Sequence, residues 1–301
     1  MPVNNPRFVD KAWTRGCDFI ILDLEDSVPP AQKVHARSLI KEAIGTAAKG
    51  GAEVFVRINH DTIPEDLEGV AWPGLKRVTY PKAETAEEIR TLDEIITRLE
   101  LERGIEPGFI EIGANVETAL GVANAFEIAS ASPRIKDFGG GGGYDMSRDL
   151  GVEMFVDFDQ FVYGKGELEL ATRVQGLNVH ATPFLPNPSG SVSDGDYALR
   201  VAKATHRMGF RIGGGLHPNV VEPENRGFTP TPEEIADAHR VLELFAGLED
   251  RGLAHAELDE RTVDRYEASR ARSVLEWADA CAQRDADKLD SVRRAQEATG
   301  D

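Results

Sequence analysis

Seven short runs of apolar and β-branched residues recur along the chain, and longer segments of helical period separate most of them. This alternation constrains the fold more than any other feature. Parallel strands need a crossover, usually a helix, and a strand covered on both faces reads as a near-continuous apolar run. The runs are 19–24, 54–59, 77–82, 109–112 continuing toward Glu117, 135–138, 177–181 and 210–213. Helices are expected over 5–15, with Pro6 at its first position, over 32–48 and over 85–101, where Thr85 and Glu88 have capping-box spacing. Others are expected over 119–131, 161–174 and 196–208, and from Thr231 onward. From Asp259 to Ala298 the chain is charged, poor in Gly and Pro, and helical in period. Strand–helix units in this number fit an α/β (β/α)8 barrel, of about 250 residues, better than an open sheet. A helix precedes the first run, so the expected barrel lacks its first strand or has it truncated. The expected division is a barrel domain over 1–248 and a helical extension over 249–301.

Charge narrows the partners. The 301 residues carry 34 Lys and Arg against 52 Asp and Glu, a net charge of −18. Such a surface repels phosphate backbones and anionic lipid, so neither nucleic acid nor a membrane is an expected partner. An anionic small substrate remains compatible, because an Arg or a metal inverts the field inside a pocket. No apolar stretch approaches the roughly 18 residues of a membrane span. The first residues lack the basic and apolar regions of a signal peptide. Cys17 and Cys281 are too few for a disulfide framework or a zinc site. A cytoplasmic location is the expectation.

In a βα barrel, functional groups sit at the carboxyl ends of the strands. Here those ends read Asp23-Leu24-Glu25-Asp26, Arg57-Ile58-Asn59-His60, Pro81-Lys82-Ala83-Glu84, Glu117, the glycine run 139–143 with Asp145, and Leu216-His217-Pro218. Several carboxylates thus share one mouth with an Arg and a Lys. Clustered carboxylates raise one another's pKa unless a cation neutralises them. With oxygen donors and no Cys, Mg²⁺ is the natural occupant. Arg57 offers a two-pronged contact to a substrate carboxylate, or an internal ion pair with Glu25 or Asp26. Glu117 has the alternative of capping the helix that follows, and Lys82 of pairing with a carboxylate. His217, before a proline, reads first as a hydrogen-bonded structural residue, and His60 and His180 carry less signal still. The glycine run lacks the Lys-Ser/Thr ending of a phosphate loop. It reads as backbone that needs close approach or unusual φ and ψ.

The ordered set of segments resembles the citrate lyase β-subunit family, with malyl-CoA lyases and HpcH/HpaI-type aldolases. The segments are Asn4-Asn5-Pro6-Arg7 through Asp23-Leu24-Glu25-Asp26-Ser27-Val28-Pro29, Val56-Arg57-Ile58-Asn59, Pro81-Lys82, Glu117-Thr118-Ala119-Leu120-Gly121-Val122 with Gly142-Gly143-Tyr144-Asp145, and Leu216-His217-Pro218-Asn219-Val220. The resemblance implies a (β/α)8 barrel, trimeric or hexameric, with Mg²⁺ (or Mn²⁺) on Glu117 and Asp145. It implies that Arg57 grips substrate, that Glu25 and Asp26 order a metal-bound water, and that Lys82 is the family's strand-three lysine. The implied reaction is reversible carbon–carbon cleavage of a 3-hydroxyacyl-CoA, an acyl-carrier thioester or a related hydroxy acid, giving a 2-keto acid through an enolate. Two other expectations are a thioesterase on the same scaffold and a non-catalytic subunit that binds an acyl carrier. In this family the C-terminal region covers a neighbouring subunit's site; a helix packed on its own barrel is the alternative. The chain departs from the family pattern in its missing first strand, in the richness of its glycine run and over 177–194.

Overall fold

Six of the seven runs pair side by side, in chain order and all parallel. They are β1 (Phe19–Asp23), β2 (Glu53–Arg57), β3 (Leu75–Tyr80), β4 (Glu111–Val116), β5 (Ile135–Gly140) and β6 (Asn178–His180). The structure, a computed structural model, describes residues 1–154, 158–180, 190–249 and 252–299. Single parallel bridges extend the sheet at both edges, Pro2 beside Asp23 and Ile212 beside His180. The eight positions of a βα barrel are therefore represented in order. Among the described residues no bridge joins Ile212 to Pro2.

The two edges explain the departures from expectation. The truncated first strand is a stub: the Asp23 amide donates to the Met1 carbonyl at 2.8 Å, and the Val3 amide to the Asp23 carbonyl at 3.4 Å. The seventh run, 210–213, forms one bridge instead of a strand. The run ends in Gly213, and Gly214 and Gly215 follow; glycine weakens a strand by backbone entropy and by leaving nothing to pack. Ala181, at the end of the sixth run, lies outside the described residues. The expected helix 119–131 is two short helices, Ala119–Ala123 and Ala125–Ala129, broken at Asn124. The charged tail starts not with a helix but with a hairpin, β7 (Ala256–Leu258) and β8 (Arg261–Val263), before one helix, Arg265–Thr299. The hairpin turns on Asp259 and Glu260, both with positive φ, as a two-residue type I′ loop requires. Asp-Glu is not the usual sequence for that turn.

Strand alternation divides the barrel into two layers. Outward positions such as Leu22, Val56, Val78, Ile112 and Phe138 meet the helices in one continuous apolar core. Inward positions are largely aromatic and charged. Phe19 stacks on Phe55 with ring centroids 4.9 Å apart, and the Arg77 guanidinium lies 4.3 Å from the Phe55 centroid. Arg77 then reaches Glu111 at 2.6 Å and Asp137 at 3.4 Å, and Asp137 meets His180 at 2.6 Å. Gly113 makes room for this ladder: a Cβ there would lie 3.1 Å from Arg77 Cδ and 3.3 Å from Asp137 Oδ2. Buried charges persist only when paired and hydrogen-bonded, and here each charge has its opposite on the next strand.

A second apolar cluster joins helix Pro232–Glu249 to the hairpin and the final helix, around Val241, Phe245, Leu248, Val263 and Ala268. The final helix also returns to its own barrel. Trp277 donates to the Phe228 carbonyl at 2.8 Å, and Lys288 and Arg284 pair with Asp18 at 2.8 and 3.3 Å. Asp18 immediately precedes β1, so this contact lies at the amino ends of the strands, opposite the mouth. Among the described residues no helix is long and apolar enough to cross a membrane.

Candidate active site

At the carboxyl ends of the strands, Arg57 stands between three acids. Its Nε and Nη2 each donate to Asp23 at 2.7 Å, the two-pronged geometry that suits guanidinium to carboxylate. Its Nη1 lies 2.7 Å from Glu25 Oε2, off the direction of a hydrogen bond, and 3.9 Å from Asp26. Burial disfavours the Asp23 carboxylate, but the hydrogen bonds and charge of Arg57, with Ser27 and the Glu25 amide, outweigh it and bring its pKa down to about 2. Asp23 is thus a member of the site that sequence reasoning passed over. Its signal was present: it lies in register with Arg57 across β1 and β2. Arg57 is thus engaged on both sides, Asp23 at Nε and Nη2 and the Glu25 carboxylate against Nη1.

The Glu25 loop is fixed from below. Lys33 donates to the Leu24 and Glu25 carbonyls at 3.1 and 3.3 Å and to Asn59 Oδ1. Asn59 is held in turn by Asp66 through its backbone amide at 2.6 Å. Lys82 enters from β3, donating to Glu25 at 2.7 Å and standing 3.9 Å from Asp145. Its φ of 52° is left-handed, a conformation that costs a non-glycine residue about 1–3 kcal/mol and clusters at functional sites. Burial favours a neutral amine at Lys82, but Glu25, Asp145 and Asp26 outweigh it and raise its pKa. An amine nucleophile needs the opposite shift, so Lys82 acts here as a cation.

Glu117 follows β4. The helix behind it is capped by Thr118, which accepts from the Gly121 amide at 3.1 Å, and by Asp149, which accepts from the Ala119 amide at 2.7 Å. The capping role once open to Glu117 is therefore filled by others. Its hydrogen bond from the Asn115 amide is long, 3.4 Å, and it has no ion pair among the described residues. Burial, with the charges of Asp145 and Glu25 nearby, raises its pKa. The buried Asn115 Oδ1 also lacks a partner. Asp145 sits in the first turn of helix Tyr144–Leu150, 3.3 Å from the exposed Arg148. The glycine run that delivers it needs to be glycine. Gly140 has φ of 109°, and a Cβ there would lie 2.3 Å from the Val116 carbonyl oxygen; one on Gly139 would lie 2.0 Å from that of His180. The run thus packs against the ends of β4 and β6, as its composition predicts.

The structure brings Arg57, Glu25, Asp26, Lys82, Glu117 and Asp145 into one electrostatically linked group. The histidines divide. His217 accepts from the Asn219 amide at 3.2 Å and caps a short turn. His60 stacks on Tyr80, its Nε2 3.2 Å from Glu88. His180 instead faces the barrel interior beside Asp137.

A parallel βα barrel with carboxylates and fixed cations gathered at its mouth defines a barrel enzyme of the carboxylate-rich kind. The chain belongs to the HpcH/HpaI aldolase/citrate lyase family, whose family model matches residues 1–188. It is 31% identical over 283 residues to the citrate lyase subunit beta of Leuconostoc mesenteroides subsp. cremoris, covering 93% of this chain and 92% of that one. It is 30% identical over 285 residues to the (3S)-malyl-CoA thioesterase of Cereibacter sphaeroides, covering 94% of each. The crystal structure of the CitE protein of Mycobacterium tuberculosis in complex with magnesium, acetoacetate and coenzyme A shares the fold, with a TM-score of 0.69 and 24% identity, covering 92% of this chain and 96% of that one.

Proposed function

We propose that this chain is a divalent-metal-dependent carbon–carbon lyase, cleaving a 3-hydroxyacyl thioester or a related hydroxy acid to a 2-keto acid and an acyl product. The family supports the reaction class. The observation that carries the reading is Glu117: a half-buried carboxylate beside Asp145, without a cation of its own among the described residues, next to an orphaned amide oxygen. Hard oxygen donors in that state fit Mg²⁺ or Mn²⁺. Glu117 and Asp145 would hold the ion, which when bound supplies Lewis-acid stabilisation of negative charge on an enolate oxygen.

The chain's own residues supply the rest. Arg57, clamped by Asp23, supplies the positive charge that attracts the keto-acid carboxylate, which would compete with Glu25 for Nη1. Lys82 fixes Glu25 and adds positive charge to the anionic pocket. Asp26, the most exposed of the acids, and Glu25 order the water that takes the hydroxyl proton. In this reading residues 1–248 form the lyase domain and 249–301 the extension. The assembly is a homotrimer or hexamer. An exposed apolar face on helix Val162–Gln175 and its neighbours, with Tyr163, Leu170, Val174 and Phe126, supports such an assembly, since patches of this kind mark interaction sites.

The test is product analysis. Purified protein is incubated with a panel of 3-hydroxyacyl-CoA thioesters, with and without Mg²⁺ or Mn²⁺, and acyl-CoA and keto acid are quantified by mass spectrometry. Metal-dependent turnover surviving in Glu117→Ala would overturn the assignment. A second reading is favoured by the thioesterase relative: hydrolysis of the thioester, releasing free CoA with the carbon skeleton intact. A subunit that only binds an acyl carrier would show neither Mg²⁺ nor keto-acid binding by calorimetry.

A further inference from the structure

The polar ladder inside the barrel ends in a pair that the proposed reaction has not yet used. Asp137 Oδ1 and His180 Nδ1 are 2.6 Å apart. Asp137 is buried, and the His180 side chain keeps 24% of its surface exposed. Register fixes the height of the pair in the barrel. His180 pairs with Gly139, Asp137 lies one pleat lower on β5, and Asn115 of β4 pairs with Gly139 from the other side. Glu117 lies two residues beyond Asn115, one pleat nearer the mouth. The two N–H directions of an imidazole diverge widely. With Nδ1 anchored on Asp137, Nε2 is not used by that contact, and Glu117 is near enough for its charge to act on the ring. The space is made by Gly139, whose Cβ would lie 2.5 Å from His180 Cγ.

Each member of the pair favours the charged form of the other. Burial disfavours imidazolium, but Asp137 and the nearby Glu117 outweigh it and raise the His180 pKa. The Asp137 carboxyl is held below its usual range by His180 and Arg77 against the pull of burial. An imidazolium held in one orientation by a buried carboxylate, with a second N–H that this contact does not use, has the arrangement of a general acid oriented by a third group.

We propose that His180 is a further catalytic residue, the proton donor to the enolate carbon, and that Asp137 is its positioning residue. This rests on the lyase reading above. As the carbon–carbon bond breaks, its electron pair passes to the acyl fragment as an enolate, and the substrate hydroxyl loses its proton to the water at Glu25 and Asp26 and becomes the keto oxygen. The Nε2 proton of His180 then adds to the enolate carbon, and solvent returns a proton to the ring. One proton leaves oxygen, one joins carbon, and nothing is oxidised or reduced.

The experiment compares wild type, His180→Gln, Asp137→Asn and the double variant, in Mg²⁺-dependent cleavage of the thioester panel and in calorimetric binding of oxaloacetate with Mg²⁺. The expected result for His180→Gln is oxaloacetate affinity within about twofold of wild type, little change in KM, and kcat lower by ~100-fold. Asp137→Asn is expected to lose ~10-fold in kcat, as removal of an orienting partner does elsewhere, and the double variant to be no slower than His180→Gln. An unchanged kcat in His180→Gln overturns the proposal and leaves the lyase reading standing. Additive losses in the double variant overturn the positioning role. Wild type that neither cleaves a carbon–carbon bond nor binds oxaloacetate overturns both readings. Should Asp137→Asn fail to fold, His180→Gln alone decides.

Discussion

At the scale of single residues, the site carries its charge at a cost to the ligand-free protein. The pKa of Glu117 is raised in the folded state, so the folded chain holds its proton more tightly than the unfolded one. The linked stability is full below the ordinary carboxyl range and is lost as pH rises through the raised value. Glu117→Gln should therefore melt higher than wild type at neutral pH without metal, and Mg²⁺ should raise the melting temperature of wild type but not of the variant. Calorimetric or fluorescence melts with and without Mg²⁺ check both halves. A Glu117 that were only structural would show the reverse order. Asp23 has the opposite sign. Its pKa falls from 3.8 to about 2 on folding, which corresponds to about 2 kcal/mol of stability. That contribution is full above about pH 4 and lost as pH falls through 2. Urea unfolding between pH 5 and 2 should show a steeper loss for wild type than for Asp23→Asn, which starts lower because Arg57 loses its partner.

At the scale of elements, what was legible followed from periodicity. The outward residues of β1–β5 are mostly apolar and bounded by turn chemistry, so the sheet could be read directly. The order of the strands and the placement of Glu25, Arg57, Lys82 and Glu117 at one mouth follow from that. The inward layer could not be read. Arg77, Glu111, Asp137 and His180 look like scattered charges until the register brings them together, and Asp23 passes for one more acid at the end of its strand. The seventh run failed as a strand because apolar pattern says nothing about the glycines that follow it. The glycine run 139–143 was readable in kind, as backbone in a tight or left-handed place. Gly140→Ala meets both constraints, positive φ and a carbonyl at 2.3 Å, and should cost about 3 kcal/mol or more. Gly166, helical and with open space at its Cβ, is the control: Gly166→Ala should be neutral or stabilise by up to about 1 kcal/mol. Denaturant midpoints for the two variants decide. Equal effects would mean that the run is not gripped by β4 and β6 as described.

At the scale of the molecule, the final helix separates two tasks that its composition left merged. A charged helical tail suits either a cover for a neighbouring site or a brace for its own barrel. Lys288 shows the second task in this chain. It is buried, and its Nζ meets Asp18 at 2.8 Å, Asp285 at 2.9 Å and the Gly16 carbonyl at 3.1 Å. Asp18 and Gly16 lie just before β1, at the end of the barrel away from Glu117 and Asp145, while Asp285 is one turn back on the same helix. Asp18 is half exposed, so solvent screens the ion pair, and most of the worth of Lys288 lies in its buried stem and the hydrogen bond to Gly16. Removing the side chain should cost about 1–2 kcal/mol, or about 2–6 °C in melting temperature for a chain of this size. Because the brace and the mouth are at opposite ends, Mg²⁺ affinity measured by calorimetry should not change in Lys288→Ala. A variant that melted lower and also lost Mg²⁺ affinity would show that the two ends are coupled through the charged interior, from Arg77 to His180, and that the barrel responds as one body. A lower melting temperature alone would assign the helix to stability within its own chain, leaving its outer face free for a neighbouring copy.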